Sequence, residues 1–132
     1  MGSKQIFLVD DDVIFRTASS ILLKQNLPDY GSVPFENGEE VCDALLALTQ
    51  SKESLPELMF LDINMPVMNG WEVLEELKTA LPKICQDIKI YILTSSIAPE
   101  DMNLSKTYDF INGYITKPLT TNDIDNIKEV LE

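Results

Sequence analysis

Hydrophobic and polar residues alternate along this chain in two distinct patterns. Short apolar runs, typical of strands buried on both faces, are separated by segments in which apolar residues recur every three or four positions, the spacing of an amphipathic helix. The predicted strands cover residues 6–9, 32–35, 59–61, 88–93 and 111–115. The predicted helices cover residues 14–27, 41–48, 70–81, 98–108 and 121–132. This alternation predicts an α/β fold, in which a doubly wound, five-stranded parallel sheet carries five helices on both faces.

Local signals refine two of these elements. The apolar positions Ile14, Ala18, Ile21 and Leu22 recur at helical spacing and predict the first helix, until Pro28 ends the pattern. Pro34 interrupts the second strand and cannot donate to a sheet ladder. The second strand is therefore expected at an edge of the sheet.

Polar residues at the predicted helix starts have the spacing of capping motifs. Asn69 is followed three residues later by Glu72, and Thr120 is followed at the same spacing by Asp123. In both pairs the first side chain can cap the helix while the second reaches back to the cap backbone. Asn37–Gly38 is predicted as a turn.

Chemically capable side chains follow the predicted strands. Asp10 and Asp11 follow the first strand, Asp62 follows the third, Thr94 follows the apolar run of the fourth, and Lys117 follows the fifth. The carboxyl ends of parallel strands share one edge of the sheet, and ligands bind there in open α/β sheets. We therefore expect these five side chains to form a functional site.

The three aspartates of this set need a compensating cation. Carboxylates about 5 Å apart repel by about 3 kcal/mol per pair at an effective dielectric near 20. The chain has no histidine, so oxygen-ligand chemistry is expected, and Mg²⁺ suits carboxylates, waters and a phosphate oxygen. Asp12, next in sequence, is interpreted instead as the opening of a helix, where negative charge meets the positive end of the dipole.

The same set of side chains is suited to phosphoryl transfer. A carboxylate such as that of Asp62 can attack phosphorus and form an acyl phosphate. A lysine and a hydroxyl can hold the other phosphoryl oxygens, and Lys117 and Thr94 supply these groups. A phosphoryl site with Asp62 at its centre is therefore expected.

Composition limits the remaining possibilities. The chain has 132 residues, 45% of them hydrophobic, which indicates one globular domain. With 22 acidic and 10 basic residues, the formal charge of −12 opposes direct binding to nucleic acid phosphates. No apolar run approaches the about 18 residues of a membrane span, and no signal core is present, so we expect a cytoplasmic protein without a membrane partner. Cys42 and Cys85 are expected to be buried free thiols.

Four segments carry a resemblance to a known family. They are VDDD at 9–12, FLDINMPVMNG at 60–70, LTSS at 93–96 and GYITKP at 113–118. In order and spacing they resemble the receiver domain of two-component response regulators, CheY among them, over essentially the whole chain. The resemblance implies a flavodoxin-like strand order of 2-1-3-4-5. It covers residues 1–132 as a single receiver domain. We expect no output domain within this sequence, which is either a free-standing regulator or a domain of a larger protein, and residues 1–4 are either a flexible or a cloning-derived start.

The resemblance implies a role for each matching acidic position. Asp62 would accept a phosphoryl group from a sensor histidine kinase or a histidine phosphotransfer protein. Asp11 would bind Mg²⁺ directly, Asp10 would act through the metal or its waters, and Asp62 and the backbone carbonyl of Asn64 would complete the protein ligands. Mn²⁺ is the expected substitute for Mg²⁺.

The later motifs imply a switch. Lys117 would pair with the phosphoryl group, and the Lys117–Pro118 peptide bond would be cis. Thr94 would turn its hydroxyl to a phosphoryl oxygen while Tyr114 turns inward. These movements would reshape the surface formed by the fourth predicted helix, the fifth strand and the fifth predicted helix, which the family numbers α4, β5 and α5. A downstream protein would bind that face, and the chain would be a monomer or a weak phosphorylation-dependent dimer. Ser95 occupies a position where alanine is common in the family, which bears on the lifetime of the phosphorylated state.

Two other functions fit part of the sequence. The start FLVDDDV also resembles phosphatases of the haloacid dehalogenase type, with Asp10 as nucleophile and Asp12 as acid–base. That family needs a later acidic pair at a strand end, whereas Asp123 and Asp125 fall on the last predicted helix. The phosphatase interpretation also leaves Asp62 without a role. A receiver-like interaction module that never uses phosphate is the other alternative. We expect no turnover of an external substrate, although a receiver promotes its own phosphorylation and dephosphorylation.

Overall fold

The five apolar runs form one parallel sheet in a computed structural model that describes residues 3–131. The strands are β1 (Ser3–Val9), β2 (Gly31–Phe35), β3 (Pro56–Leu61), β4 (Lys89–Thr94) and β5 (Ile111–Thr116). Their order is β2-β1-β3-β4-β5 and every neighbouring pair is parallel. The expected flavodoxin-like sheet is confirmed. Met1, Gly2 and Glu132 lie outside the described residues, so the expected start at residues 1–4 and the last position of the final helix are only partly described.

Six helices lie between and after the strands within the described part of the chain, one more than predicted. They are α1 (Val13–Asn26), α2 (Gly38–Ser51), α3 (Gly70–Ala80), α4 (Ile84–Asp87), α5 (Pro99–Ser105) and α6 (Thr121–Leu131). The missed helix, α4, has four residues and is too short to show a helical period. The fourth predicted helix corresponds to α5 and ends at Ser105 rather than at residue 108. None of the helices described is long and apolar enough to cross a membrane.

The central strand β3 carries the core on both of its faces. Leu58 and Phe60 pack on one side of the sheet, and Met59 and Leu61 pack on the other, all of them fully buried. Successive side chains of a strand point to opposite faces, and burying each one contributes about 1.5–3 kcal/mol. Two packed layers therefore hold β3 firmly and fix the position of the residue that follows it, Asp62.

The helix starts follow the predicted caps, with one difference. The Asn69–Glu72 capping box is present, and Thr120 and Asp123 exchange the equivalent hydrogen bonds at 3.0 and 3.1 Å. Asn37, expected in a turn, is the N-cap of α2, and its side chain accepts from the Glu40 amide at 3.0 Å. The predicted position of Pro34 is confirmed, because β2 is an edge strand.

The first predicted helix is confirmed as α1, but most of the apolar positions that predict it are exposed. Ile14 is 79% exposed and Ile21 is 56% exposed, while Ser19 and Leu23 are buried against the sheet. The segment from Val13 to Leu23 has apolar residues on almost every side of the helix, so the period of the pattern does not identify one face. The buried positions lie about one residue further along α1 than the pattern of apolar residues indicates. An apolar stripe, formed by Val13, Ile14 and Ile21, is left in contact with solvent.

The loop between β3 and α3 holds two residues in demanding positions. A Cβ at Gly70 would lie 2.3 Å from the carbonyl oxygen of Asp62, so only glycine lets α3 start this close to the strand end. Val67 has φ 66° and a side chain that is 72% exposed. A left-handed backbone costs a β-branched residue about 1–2 kcal/mol, and little burial compensates for this cost.

Replacing Val67 with asparagine should therefore stabilise the protein by about 1 kcal/mol, because asparagine tolerates the left-handed region. The measurement is the free energy of unfolding in urea. Ile97→Asn is the matched control, since Ile97 is 71% exposed in a loop and has no positive φ. An equal gain from both substitutions, or none from Val67→Asn, would contradict the strain at Val67.

Candidate functional site

The ends of β1 and β3 bring three carboxylates together. Asp10, Asp11 and Asp62 each offer an oxygen, and these oxygens lie within 4.8 Å of one another. The amide of Asp62 donates to the carbonyl of Val9 at 3.0 Å, which extends the pairing of the two strands into the site. Asp10 is 2% exposed and Asp62 is 5% exposed, whereas Asp11 is exposed. The cluster is a recessed pair of carboxylates with a third at its rim.

Lys117 lies between the two recessed carboxylates. Its Nζ is 2.6 Å from Oδ2 of Asp10 and 3.2 Å from Oδ2 of Asp62. The Lys117 amide donates to the carbonyl of Thr94 at 2.8 Å, which fixes the start of its side chain beside β4. The Lys117–Pro118 peptide bond is cis, the isomer that the family resemblance implies.

Two residues that the sequence analysis did not assign also contact this group. The ring of Phe15 lies 4.2 Å from Nζ of Lys117, a cation–π contact. The guanidinium of Arg16 donates to the backbone carbonyl of Asp10. Both residues are on the first turn of α1, where apolar residues on almost every side of the helix conceal which positions face the site.

The pKa shifts in the cluster reflect burial opposed by ion pairing. Burial raises the pKa of Asp10, the hydrogen bonds from Lys117 and from the Asp12 amide lower it, the charge of Asp62 raises it, and the net shift is upward. Burial lowers the pKa of Lys117, but the hydrogen bond to Asp10 and the charge of Asp62 outweigh it, so that the net pKa is raised. The cluster therefore has more negative charge than one ammonium group neutralises.

Thr94 and Tyr114 are joined through Ser96. Thr94 is fully buried at the end of β4, and its Oγ1 accepts a hydrogen bond from the Ser96 amide at 3.3 Å. The Tyr114 hydroxyl donates to the Ser96 carbonyl at 2.9 Å. Ser96 had no role assigned from the sequence. Its position two residues after Thr94, in a strand end rich in hydroxyl groups, could have indicated a role in the site.

The remaining predicted positions lie around this centre. Asn64 is exposed on the loop two residues after Asp62. Asp12 caps α1, with its Oδ1 accepting from the amides of Ile14 and Phe15 at 3.0 and 3.2 Å, as interpreted from the sequence. The structure thus brings Asp10, Asp11, Asp62 and Lys117 together directly.

The cysteines lie apart from this chemistry. Cys42 and Cys85 are buried free thiols, as expected. Burial raises the pKa of Cys42 to about 11, which leaves it in the unreactive thiol form at neutral pH.

The donor set fits a hard divalent cation. All three side chains offer carboxylate oxygens, two of them are recessed, and one ammonium group, that of Lys117, pairs with the two recessed carboxylates. Oxygen ligands and incomplete enclosure suit Mg²⁺, which keeps several waters in its coordination shell. The arrangement can bind such a cation and still leave Asp62 accessible to a phosphoryl group.

Comparisons with known proteins agree with this geometry. The chain is 30% identical over 131 residues to the chemotaxis protein CheY of Halobacterium salinarum, covering 98% of each protein. It also matches longer curated relatives, of which it spans between 29% and 60%.

Two solved structures are informative. The phosphorylated cyanobacterial phytochrome response regulator RcpA has a TM-score of 0.69 and 29% identity, with 98% of this chain and 91% of that one covered. The Mn²⁺-bound form of response regulator Rcp1 has a TM-score of 0.65 and 27% identity, with 97% and 91% covered. The response regulator receiver domain model matches residues 6–129. With a parallel 2-1-3-4-5 sheet and an acidic cluster at the ends of its strands, this chain belongs to the response regulator receiver domain family of two-component systems.

Proposed function

We propose that this chain is the phosphoacceptor of a phosphorelay, in which Asp62 takes a phosphoryl group from a sensor histidine kinase or a histidine phosphotransfer protein. The observation that carries the proposal is the position of Lys117, whose ammonium lies between the carboxylates of Asp10 and Asp62. A cation fixed there can pair with an oxygen of an incoming phosphoryl group. RcpA, a relative by structure, was solved in a phosphorylated form.

The transfer itself needs an oriented carboxylate. Oδ1 of Asp62 accepts from the Ile63 amide at 2.7 Å, so the carboxylate is held in one orientation with Oδ2 towards Lys117. In the transfer, an oxygen of Asp62 forms a bond to phosphorus while the phosphorus–nitrogen bond of the donor phosphohistidine breaks. The electron pair of that bond stays on the imidazole nitrogen, and Asp62 becomes an acyl phosphate.

The metal site in this proposal uses the carboxylates of Asp10, Asp11 and Asp62 and the backbone carbonyl of Asn64. Mg²⁺ is the proposed ion, with Mn²⁺ as a substitute; Rcp1 was solved with Mn²⁺ bound. When bound, the ion neutralises charge on the phosphoryl oxygens. The protein residues hold the acceptor carboxylate and exclude bulk water from its inner side.

The switch in this proposal starts at Thr94. Its hydroxyl would leave the Ser96 amide and donate to a phosphoryl oxygen, while Lys117 would pair with another. The Tyr114 hydroxyl, held by the Ser96 carbonyl, follows the movement of Ser96. The affected surface is formed by α5, β5 and α6, which correspond to the fourth predicted helix, the fifth strand and the fifth predicted helix. A downstream protein or a second, weakly bound copy would bind there.

The exposed apolar stripe of α1 is the proposed docking face for the phosphodonor protein. Val13, Ile14 and Ile21 are 60%, 79% and 56% exposed, and the stripe begins one residue after Asp12, beside the recessed acceptor. A donor that brings a phosphohistidine to Asp62 must cover this edge of the protein. Apolar contacts there would offset the repulsion between an anionic donor and a chain of charge −12.

The phosphatase alternative has less support. Asp12 would have to act as acid–base, but its carboxylate caps α1. Asp123 is likewise engaged at the start of α6, where its Oδ2 accepts from the amide and the hydroxyl of Thr120. We therefore propose a single receiver domain over residues 1–132 that turns over no external substrate and does not bind nucleic acid directly. Steady hydrolysis of a phosphomonoester would favour the phosphatase, and partner binding that is unchanged by Asp62→Ala would favour a phosphate-independent interaction module.

Incubation with acetyl phosphate and Mg²⁺ should add one phosphoryl group to the chain, because the acceptor and its cation sites are formed in the folded protein. The measurement is intact mass, and the adduct should be labile to hydroxylamine, as an acyl phosphate is. Asp62→Asn should remain unmodified, and so should the wild type in EDTA. An adduct of equal yield on Asp62→Asn would overturn the assignment of the acceptor.

Asp10→Asn should stabilise the metal-free protein by on the order of 1 kcal/mol, because it removes a buried negative charge that the folded state disfavours. Its unfolding temperature should no longer rise with added Mg²⁺, whereas that of the wild type should. Thermal unfolding with and without Mg²⁺ measures both effects. Asp12→Asn is the control, since asparagine caps a helix as well as aspartate and Mg²⁺ should still stabilise this variant. A wild-type protein that Mg²⁺ does not stabilise would contradict the metal site.

Ile14→Ser should slow phosphorylation by a protein donor at least tenfold and leave phosphorylation by acetyl phosphate unchanged, because only a protein donor covers the stripe. The donor used is a histidine-phosphorylated phosphotransfer protein that labels the wild-type chain, and the rate is followed by intact mass. Leu46→Ser, on the exposed side of α2, is the matched control. Equal slowing with both donors would indicate damage to the site rather than loss of docking.

A further inference from the structure

A hydrogen-bonded link joins the end of β4 to α3 through Asp101. One carboxylate oxygen of Asp101 accepts from the Ser96 hydroxyl at 2.5 Å, and the other accepts from the indole N–H of Trp71 at 3.4 Å. Ser96 follows β4, Asp101 lies on α5, and Trp71 lies on α3. None of these three residues has a role in the phosphoryl chemistry proposed above.

Ser96 is the residue through which this link reaches the site. Its amide donates to Oγ1 of Thr94 at 3.3 Å, its carbonyl accepts from the Tyr114 hydroxyl at 2.9 Å, and its own Oγ accepts from the Ala98 amide at 3.3 Å. Every polar group of Ser96 is thus engaged. A movement of the Thr94 hydroxyl removes the acceptor of the Ser96 amide, and Ser96 can adjust only by moving its other partners.

Trp71 extends the link to an aromatic patch, which consists of Trp71 on α3 and of Tyr108 and Phe110 in the segment between α5 and β5. Its ring stacks on Tyr108 with centroids 5.9 Å apart and an interplanar angle of 12°, and Tyr108 packs edge-on against Phe110. The Tyr108 hydroxyl donates to Glu75 of α3 at 2.7 Å. Half-buried Trp71 and Phe110 leave part of this patch open to solvent.

The helix α5 depends on such bonds for its position. It has seven residues, its N-cap Ala98 makes no side-chain capping bond, and Ser105 is its buried residue. Hydrogen bonds to an ionised carboxylate are stronger than those between neutral groups. The two bonds of Asp101 therefore hold the first turn of α5 against both the β4 end and α3.

We propose that Asp101 is a positioning residue of the switch. It ties the turn after Thr94 to Trp71, so that phosphorylation of Asp62 moves the aromatic patch as well as the surface formed by α5, β5 and α6. This inference rests on the proposed function. It adds a second route out of the site, which begins at the Ser96 hydroxyl and does not pass through Tyr114.

Trp71 is the only tryptophan of the chain, so its fluorescence reports on this route directly. The experiment records the emission of the full chain before and after treatment with Mg²⁺ and acetyl phosphate, and intact mass on the same samples measures phosphorylation. The wild type should change its emission in proportion to the adduct. Asp101→Ala and Ser96→Ala should take up the phosphoryl group but lose at least two thirds of the emission change.

Two variants separate positioning from a general effect on α5. Glu100→Ala removes a neighbouring charge from the same first turn and should respond as the wild type does. Asp101→Asn keeps an oxygen acceptor for the Ser96 hydroxyl and should recover part of the response that Asp101→Ala loses. Unchanged far-ultraviolet circular dichroism establishes that each variant is folded.

The outcomes distinguish this proposal from the function on which it rests. No adduct on the wild type overturns the phosphoacceptor function and this proposal with it. An adduct without any change in Trp71 emission overturns this proposal alone. A full response in Asp101→Ala also overturns it, because the signal would then reach Trp71 through the start of α3 next to Asp62.

Discussion

Repulsion between recessed carboxylates governs the functional end of this molecule. Asp10 and Asp62 are almost completely removed from solvent at the ends of adjacent strands, and Asp11 lies at their rim. At such separations, each pair of charges disfavours the fold by several kcal/mol unless a cation intervenes. The ammonium of Lys117 supplies one positive charge against three carboxylates, and burial is the main cause of the raised pKa of Asp10. The site thus carries a net negative charge that favours a further cation.

The fold tolerates this cost because the surrounding packing is rigid. β3 is buried on both faces, so the backbone of Asp62 cannot withdraw from Asp10 without disturbing two packed layers. Gly70 lets α3 begin in contact with the Asp62 carbonyl, and the strained Val67 closes the loop between them. The repulsion between the carboxylates and the left-handed backbone of Val67 both lie at the edge of the sheet that holds the site residues. Such concentration is typical of functional sites.

Charge is also distributed along the helices in a consistent direction. Acidic residues occur in the first turns of α2, α3, α5 and α6, and lysines occur in the last turns of α1, α3 and α6. This arrangement complements the helix dipoles. Because each of these helices follows a strand of the parallel sheet, it also makes the functional edge strongly acidic.

The amino-acid sequence by itself determined the alternation of strands and helices, the edge position of Pro34, the capping of α3 and α6, and the convergence of Asp10, Asp11, Asp62 and Lys117. These follow from local signals and from the rule that parallel strands end at one edge. Only the tertiary structure decided which side of α1 faces the sheet, since Ile14 and Leu23 are equally apolar and packing alone distinguishes them. It also decided that Phe15 lies against Lys117 and that Asp101 joins Ser96 to Trp71. Such contacts join residues far apart in the chain, and no local pattern encodes them, because they depend on how helices settle against a sheet already formed.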